Sequence, residues 1–230
     1  MKILSKIRDL LVDLLYPRRA MCMGCGDMLG CDRDDLCEDC RAKLAQSWIG
    51  PRIPNKRLGL DGAAYAYTYH GPAGGMVRSL KYNSAWILAD AMGADIARAA
   101  EQLRLNDLTF ITAVPMHPKR LRERGRNHAE VLARSAASRM NIEYRELLYR
   151  TRNAPQQARL TLRERRRNLK DAFAALPECR ESLSGATVLL IDDVCTTGST
   201  AKNCAAALRS AGARQVYFAA YALGGGNKRG

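Results

Sequence analysis

Residues 188–200 read Val188-Leu-Leu-Ile-Asp192-Asp193-Val-Cys-Thr196-Thr197-Gly198-Ser199-Thr200. Thr187 to Ile191 is a short apolar run of the kind that forms a strand buried on both faces. It is expected to end abruptly in two carboxylates. Like charges side by side repel, so Asp192 and Asp193 need a cation or hydroxyl groups to compensate them. The next five residues are small and hydroxyl-bearing and lead into a helix, Ser199 to Ala211, closed by Gly212. At such a helix start, free backbone N–H groups and the helix dipole favour an anion, and Gly198 permits close backbone approach. Taken alone, Thr197-Gly-Ser199 is equally a common helix cap, with the aspartates as turn residues. The whole arrangement instead describes acids for a sugar diol followed by a phosphate-sized nest.

Working outward, Tyr65, Tyr67 and Tyr69 alternate with small residues as in a strand, and Ala73 to Lys81 and Trp86 to Leu103 have helical apolar spacing. Leu108 to Val114 reads as a strand, His128 to Met140 as a helix, Ile142 to Tyr149 as a strand and Val216 to Tyr221 as a final strand. Thr161-Leu-Arg-Glu164 fits a capping box for a short basic helix. Strands alternating with helices imply an α/β fold with a mostly parallel sheet, whose ligands gather at the carboxyl ends of the strands. Gly50 to Leu60 reads as a linker. The expected organisation is therefore residues 1–50 as a small module, 51–223 as the α/β domain and 224–230 as a flexible tail.

The chain has 230 residues and a net charge of +14. His117 to Lys170 holds 16 Lys and Arg against 5 Asp and Glu, so the excess is concentrated there. That suggests a polyanionic partner, a pyrophosphate-bearing substrate or a nucleic-acid backbone; a solvated basic surface is the plainer alternative. Leucines and isoleucines at Ile3, Leu4, Ile7, Leu10, Leu11, Leu14 and Leu15 have helical spacing interrupted by charges. They read as an amphipathic helix of a cytoplasmic protein rather than a secretory signal, and no stretch approaches membrane-spanning length.

Five of the eight cysteines lie between residues 22 and 40. Cys22-x-x-Cys25 and Cys37-x-x-Cys40 match a four-thiolate structural zinc site, with Cys31 as a possible substitute ligand and a loop of free thiols as the alternative. Cys179, Cys195 and Cys204 are isolated and read as ordinary small residues.

Leu190 to Thr200 closely resembles the signature of type I phosphoribosyltransferases. Val114-Pro-Met-His-Pro-Lys119-Arg120-Leu-Arg122-Glu-Arg124-Gly-Arg-Asn127, taken with Gln157, Leu160, Arg165, Asn168, Phe173 and the paired cysteines, resembles the ComF/GntX family of competence-associated phosphoribosyltransferase-like proteins over nearly the whole chain. The resemblance implies a type I phosphoribosyltransferase fold behind a zinc module. It implies that Asp192 and Asp193 bind the ribose hydroxyls of phosphoribosyl pyrophosphate with Mg²⁺ nearby, bound directly or indirectly, and that Thr196, Thr197, Gly198, Ser199 and Thr200 wrap the 5-phosphate. Lys119, Arg120 and Arg124 become candidates for the pyrophosphate, and Arg150 to Asn168 takes the place of a mobile loop over the substrate. Arg126 and His128 depart from the family, which usually shows Phe and Gln there.

Two functions follow from this reading. One is a phosphoribosyl pyrophosphate-binding protein linked to handling or uptake of single-stranded DNA in competence, together with competence proteins. Arg165, Arg166 and Arg167 are its nucleic-acid candidates, and Tyr65, Tyr67, Tyr69, Tyr82 or Trp86 are available for stacking if they are not core residues. The other is an active phosphoribosyltransferase of nucleotide metabolism, with no acceptor legible. In the ligand-free protein, replacing Asp193 by Asn is expected to leave folding intact or raise stability by relieving repulsion.

Overall fold

The computed structural model describes residues 21–29, 35–52, 58–82, 87–103, 105, 107–151 and 172–225. The amphipathic helix, Cys31, Trp86, the capping box, Arg165 to Arg167 and the tail from 226 onward lie outside the described residues, as does the side chain of Tyr82.

The core is a five-stranded sheet built from β1 (Trp48–Arg52), β2 (Gly62–Thr68), β3 (Leu108–Ala113), β6 (Thr187–Cys195) and β7 (Gln215–Leu223), in the order β1-β2-β7-β6-β3. The pairs β2–β7, β7–β6 and β6–β3 are parallel and β1–β2 is antiparallel, so the carboxyl ends of four strands share one edge. Seven helices pack around it among the described residues: α1 (Glu38–Gln46), α2 (Gly71–Tyr82), α3 (Ile87–Glu101), α4 (Pro118–Arg124), α5 (His128–Met140), α6 (Arg180–Leu183) and α7 (Ser199–Ser210). Two short strands, β4 (Leu148–Arg150) and β5 (Phe173–Ala175), form a separate antiparallel ribbon.

Thr187 to Ile191 are fully buried, and so are Val216, Ala219, Ala220 and Tyr221 on the neighbouring strand, which is why this part of the sequence has no polar alternation. Helices α3 and α5 bring Met92, Ile96, Leu132, Ala133 and Ala136 into the same core.

Several expectations change. The acids do not follow a strand that stops: β6 continues through Asp192 and Asp193 to Cys195, because β7 runs alongside and pairs Asp192 with Ala220 and Cys195 with Leu223. Part of the expected linker is strand β1, where Pro51 is tolerated because the strand sits at the sheet edge. Ile142 to Tyr149 is not a strand throughout. Ile111 N–H donates to Glu143 O and Arg145 N–H to Ile111 O, giving a single bridge to β3; the chain then leaves, and only Leu148 to Arg150 pairs again, with β5. Charged Glu143, Arg145 and Glu146 do not suit a continuous buried ladder. Helix α4 occupies the basic stretch after β3, where no element is expected from the sequence. Its start is fixed by the His117 ring accepting from Lys119 N–H at 3.0 Å with Pro118 at the first position, and its end by left-handed Gly125.

Candidate functional site

Val114 N–H donates to Ile191 O at 2.9 Å, stitching the chain after β3 to β6 just ahead of the acids. Asn127 Nδ2 then donates to Val114 O at 3.0 Å, so the loop carrying α4 is tied back to the carboxyl edge. Asn127 therefore has a definite structural task. The cations on α4 hang from this anchored loop: Lys119, Arg120 and Arg122 are exposed, and Arg124 is half-buried.

Successive strand residues face opposite ways, and the two acids divide accordingly. Asp192 lines a cleft with Thr196, Thr197, Gly198, Ser199 and Thr200 at the start of α7. Asp193 turns toward α2, where Lys81 Nζ lies 2.8 Å from its Oδ2, with both side chains largely buried. Sequence reasoning asked for a compensating cation but did not find this one. Asp192 Oδ1 accepts the backbone N–H of Asp193 at 2.8 Å. Burial first, and the charge of Asp193 second, push the Asp192 carboxyl up to about 8, against the pull of that N–H and of Lys81.

His128, the departure from the family pattern, is buried at the start of α5. Burial holds its imidazole below the ordinary value; Asp193 pulls it up while Arg124 and Lys81 push it down. His128, Lys81 and Arg124 thus share the field of the acid pair, and Arg126 stays exposed. Arg150 is a further residue that sequence reasoning did not single out from its loop. Its guanidinium is half-buried over Phe173, with Nε lacking a hydrogen-bond partner, and burial lowers its pKa first, with Arg120 adding to the effect.

In the loop itself, Thr197 and Ser199 share a hydroxyl–hydroxyl hydrogen bond of 2.9 Å, and Ser199 N–H points at Thr197 Oγ1 at 3.4 Å. Gly198 takes the left-handed conformation and opens α7 without a side-chain cap. Beyond the Ser199 N–H that Thr197 accepts, the helix start is not consumed by a capping side chain.

At the other end of α2 the four cysteines Cys22, Cys25, Cys37 and Cys40 come together, with all their sulfur atoms within 4.8 Å of one another. Burial pushes the Cys22 thiol up, but backbone N–H groups of Cys25, Cys37 and Gly24 outweigh it and bring it down to about 6. Cys40 is pushed up by burial and by hydrogen bonds from the other three thiols. Four thiols this close cannot all ionise unless a cation joins them, so the set fits a metal such as zinc. The module is seated directly on α2: a Cβ at Gly75 would stand 1.9 Å from Gly24 O, and Ser79 Oγ donates to Met23 O at 3.4 Å. Cys179, Cys195 and Cys204, read from the sequence as ordinary small residues, are buried in the core.

If Lys81 is the cation that holds Asp193, Lys81→Met should lower the melting temperature and weaken binding of an anionic sugar phosphate at this edge. Lys81→Arg should restore the first effect more than the second. Thermal melts and titrations of both variants decide it; a Lys81→Met protein as stable as wild type would remove this role.

A parallel sheet with an acid pair at the end of a central strand, followed by a small hydroxyl-rich loop opening a helix, defines the type I phosphoribosyltransferase fold, and residues 126–229 match the phosphoribosyl transferase domain family. More narrowly, the chain belongs to the ComF family of phosphoribosyltransferase-like proteins. It is 31% identical over 121 residues to Competence protein F of Haemophilus influenzae, covering 52% of each chain. It is 32% identical over 156 residues to DNA utilization protein YhgH of Escherichia coli O157:H7, covering 64% of this chain and 66% of that one. The matched region thus spans about half the length of the first relative and about two thirds of the second. Glutamine phosphoribosylpyrophosphate amidotransferase from B. subtilis, complexed with ADP and GMP, overlays with a TM-score of 0.41 at 20% identity, covering 57% of this chain and 25% of that one.

Proposed function

We propose that this chain binds phosphoribosyl pyrophosphate with Mg²⁺ at the carboxyl edge of β6, in a protein concerned with DNA uptake or utilisation. The observation that carries the reading is the junction of Asp192 and the Thr196–Thr200 loop in one cleft. The two carboxylates accept hydrogen bonds from the ribose hydroxyls, and the loop N–H and hydroxyl groups donate to the 5-phosphate. Lys81 and Arg124, together with Lys119 and Arg120 on α4, supply positive charge for the pyrophosphate. Mg²⁺ would sit against Asp192 and Asp193, directly or through water, and neutralise the charge that Lys81 balances in part. The cysteine quartet is a structural zinc site.

Calorimetric titration with phosphoribosyl pyrophosphate and Mg²⁺ should give one site per chain, with weaker competition by ribose 5-phosphate. No saturable heat would overturn the reading. Metal analysis of freshly purified, reduced protein should find about one zinc per chain.

Association with DNA rests on the names of the two relatives and on the basic stretch from His117 to Lys170. No helix of the described residues is long and apolar enough to cross a membrane. Affinity for a labelled single strand should fall steeply with salt, by a log–log slope of about 0.7 per phosphate contact. Charge reversal at Arg165, Arg166 and Arg167 should flatten that slope by about two if all three meet phosphates. An unchanged slope would return these arginines to the surface or to the substrate.

A further inference from the structure

Among the described residues only four large apolar side chains are exposed: Met21, Met28, Leu121 and Tyr149. Two of them share one place. Met21 and Met28 face each other across an antiparallel bridge on the cysteine module, 47% and 71% exposed. Residues paired in this way hold their side chains about 5 Å apart, so the two thioethers form one soft apolar patch that can adapt to what it meets. Around this knuckle the charge runs against the rest of the chain. Residues 21–40 hold six Asp and Glu against one Arg, in a protein of net charge +14. Asp27, next to Met28, and Glu38, at the start of α1, are exposed, and neither takes part in an ion pair among the described residues.

Leu121 has the opposite surroundings. It stands 40% exposed in the middle of α4, between Arg120 and Arg122 and close to Lys119. These three cations are exposed and take part in no ion pair among the described residues. Helix α4 is seven residues long and buries none of them, although most helices draw their stability from a packed face. It is held by its capped ends and turns an apolar residue ringed by cations to the solvent.

An apolar centre within a charged rim is the anatomy of a protein–protein contact. This chain carries two, of opposite charge. Both are exposed in the single chain, so they do not meet within it. A patch that complements a different patch on the same molecule makes a head-to-tail contact between copies.

We propose that the methionine knuckle of one copy docks on α4 of a second copy, with Leu121 seated between Met21 and Met28, and with Arg120 and Arg122 against Asp27 and Glu38. A seven-residue helix against a knuckle of similar length is a small contact, below about 1,200 Å² and therefore of the weak, reversible class. The docking goes beyond the proposed function but touches it at one point. Lys119 and Arg120 are also the cations assigned above to the pyrophosphate, so a docked copy and the ligand exclude each other. Only that consequence rests on the phosphoribosyl pyrophosphate reading.

Sedimentation of the freshly purified, reduced full chain over a concentration series tests the docking. At about 0.1 M salt the average mass should rise above the 25.4 kDa of one chain, and at about 1 M salt, where the screening length falls from about 10 to about 3 Å, it should return there. Met28→Lys and Leu121→Asp should each weaken association at least about tenfold, the scale of losing an interface anchor. Both positions are exposed, so both variants should keep cooperative melts. Mixed together they should associate again, because the intact knuckle of the Leu121→Asp chain meets the intact α4 of the Met28→Lys chain. Phosphoribosyl pyrophosphate with Mg²⁺ should return wild type toward the monomer. A wild type that stays monomeric, association that survives in either variant, or folded variants that do not recover on mixing overturns the inference. Association that persists at saturating phosphoribosyl pyrophosphate overturns the competition for α4. Absence of phosphoribosyl pyrophosphate binding in the calorimeter overturns the proposed function instead, and the variants still decide the docking.

Discussion

Asp192→Asn and Asp193→Asn should each weaken binding of phosphoribosyl pyrophosphate with Mg²⁺ at least about tenfold, yet shift the stability of the ligand-free protein in opposite directions. Both lose charge-assisted hydrogen bonds to ribose hydroxyls, which contribute about 1.5 to 3 kcal/mol. The difference lies in what each carboxylate meets without ligand. Asp193 holds Lys81 at 2.8 Å, so Asn there leaves an ammonium only 21% exposed beside an amide, at a cost of about 1 to 3 kcal/mol. The sequence alone suggested no loss, because Lys81 was not in view.

Asp192 has no cation in ion-pair contact among the described residues. Its folded carboxyl titrates near 8, against about 3.9 in an unfolded chain. Between those values the folded protein holds the proton that the unfolded chain has released, so the contribution of Asp192 to stability is full below about pH 4 and is lost as pH rises toward 8. Asp192→Asn should remove that decline and leave the protein at least as stable as wild type at pH 8. Melting curves at pH 5 and pH 8, with titrations of each variant, separate the cases. If both variants lost equal stability, or bound as wild type does, the acids would be structural.

The other large effect belongs to the cysteine module. Cys40→Ser, or stripping with a strong chelator, should release the metal and unfold residues 21–46 locally, since a structural zinc site supplies about 10 to 16 kcal/mol of apparent binding energy to a segment with little core of its own. Gly75→Ala should do the same by another route, because the new methyl would overlap Gly24 O and such overpacking costs about 1 to 3 kcal/mol or more. Lys81 lies six residues further along α2, about 9 Å, so both changes should also loosen the Lys81–Asp193 pair. The expected signature is zinc loss, a lower melting temperature and phosphoribosyl pyrophosphate binding that is weakened but present. A Gly75→Ala protein that kept its zinc and its melting temperature would show that the module and α2 are not in mechanical contact.

How much of this was readable follows from where each signal lies along the chain. Strand β6, its acids, the hydroxyl-rich loop and α7 are contiguous, and each part has its own physical mark: an unbroken apolar run, paired charges, small residues, helical spacing. The cysteine quartet is legible for the same reason, as two short repeats. Lys81 was not, because a lysine at the end of an amphipathic helix looks like any surface cation until the fold brings it against Asp193. Trp48 and Arg98 are likewise ordinary in sequence, and only the antiparallel pairing of β1 with β2 sets the tryptophan beneath a guanidinium from α3. Helix α4 could have been found: His117-Pro118 at one end and Gly125 at the other are start and stop signals, but the residues between them bury no face that would give an apolar period. Ile142 to Tyr149 misled in the opposite sense, since Ile142, Tyr144 and Leu148 alternate as in a strand while only Tyr144 bridges β3 before the β4 ribbon begins.

The sheet's two outer strands also bear on how this protein meets other chains. At one margin, β1 is five residues long and carries Pro51, which has no N–H to offer. At the other, Ile111 of β3 already gives its N–H to Glu143 and receives one from Arg145. Among the described residues neither margin presents a long run of open backbone groups on which a foreign strand could zip, so self-association into extended sheets is disfavoured.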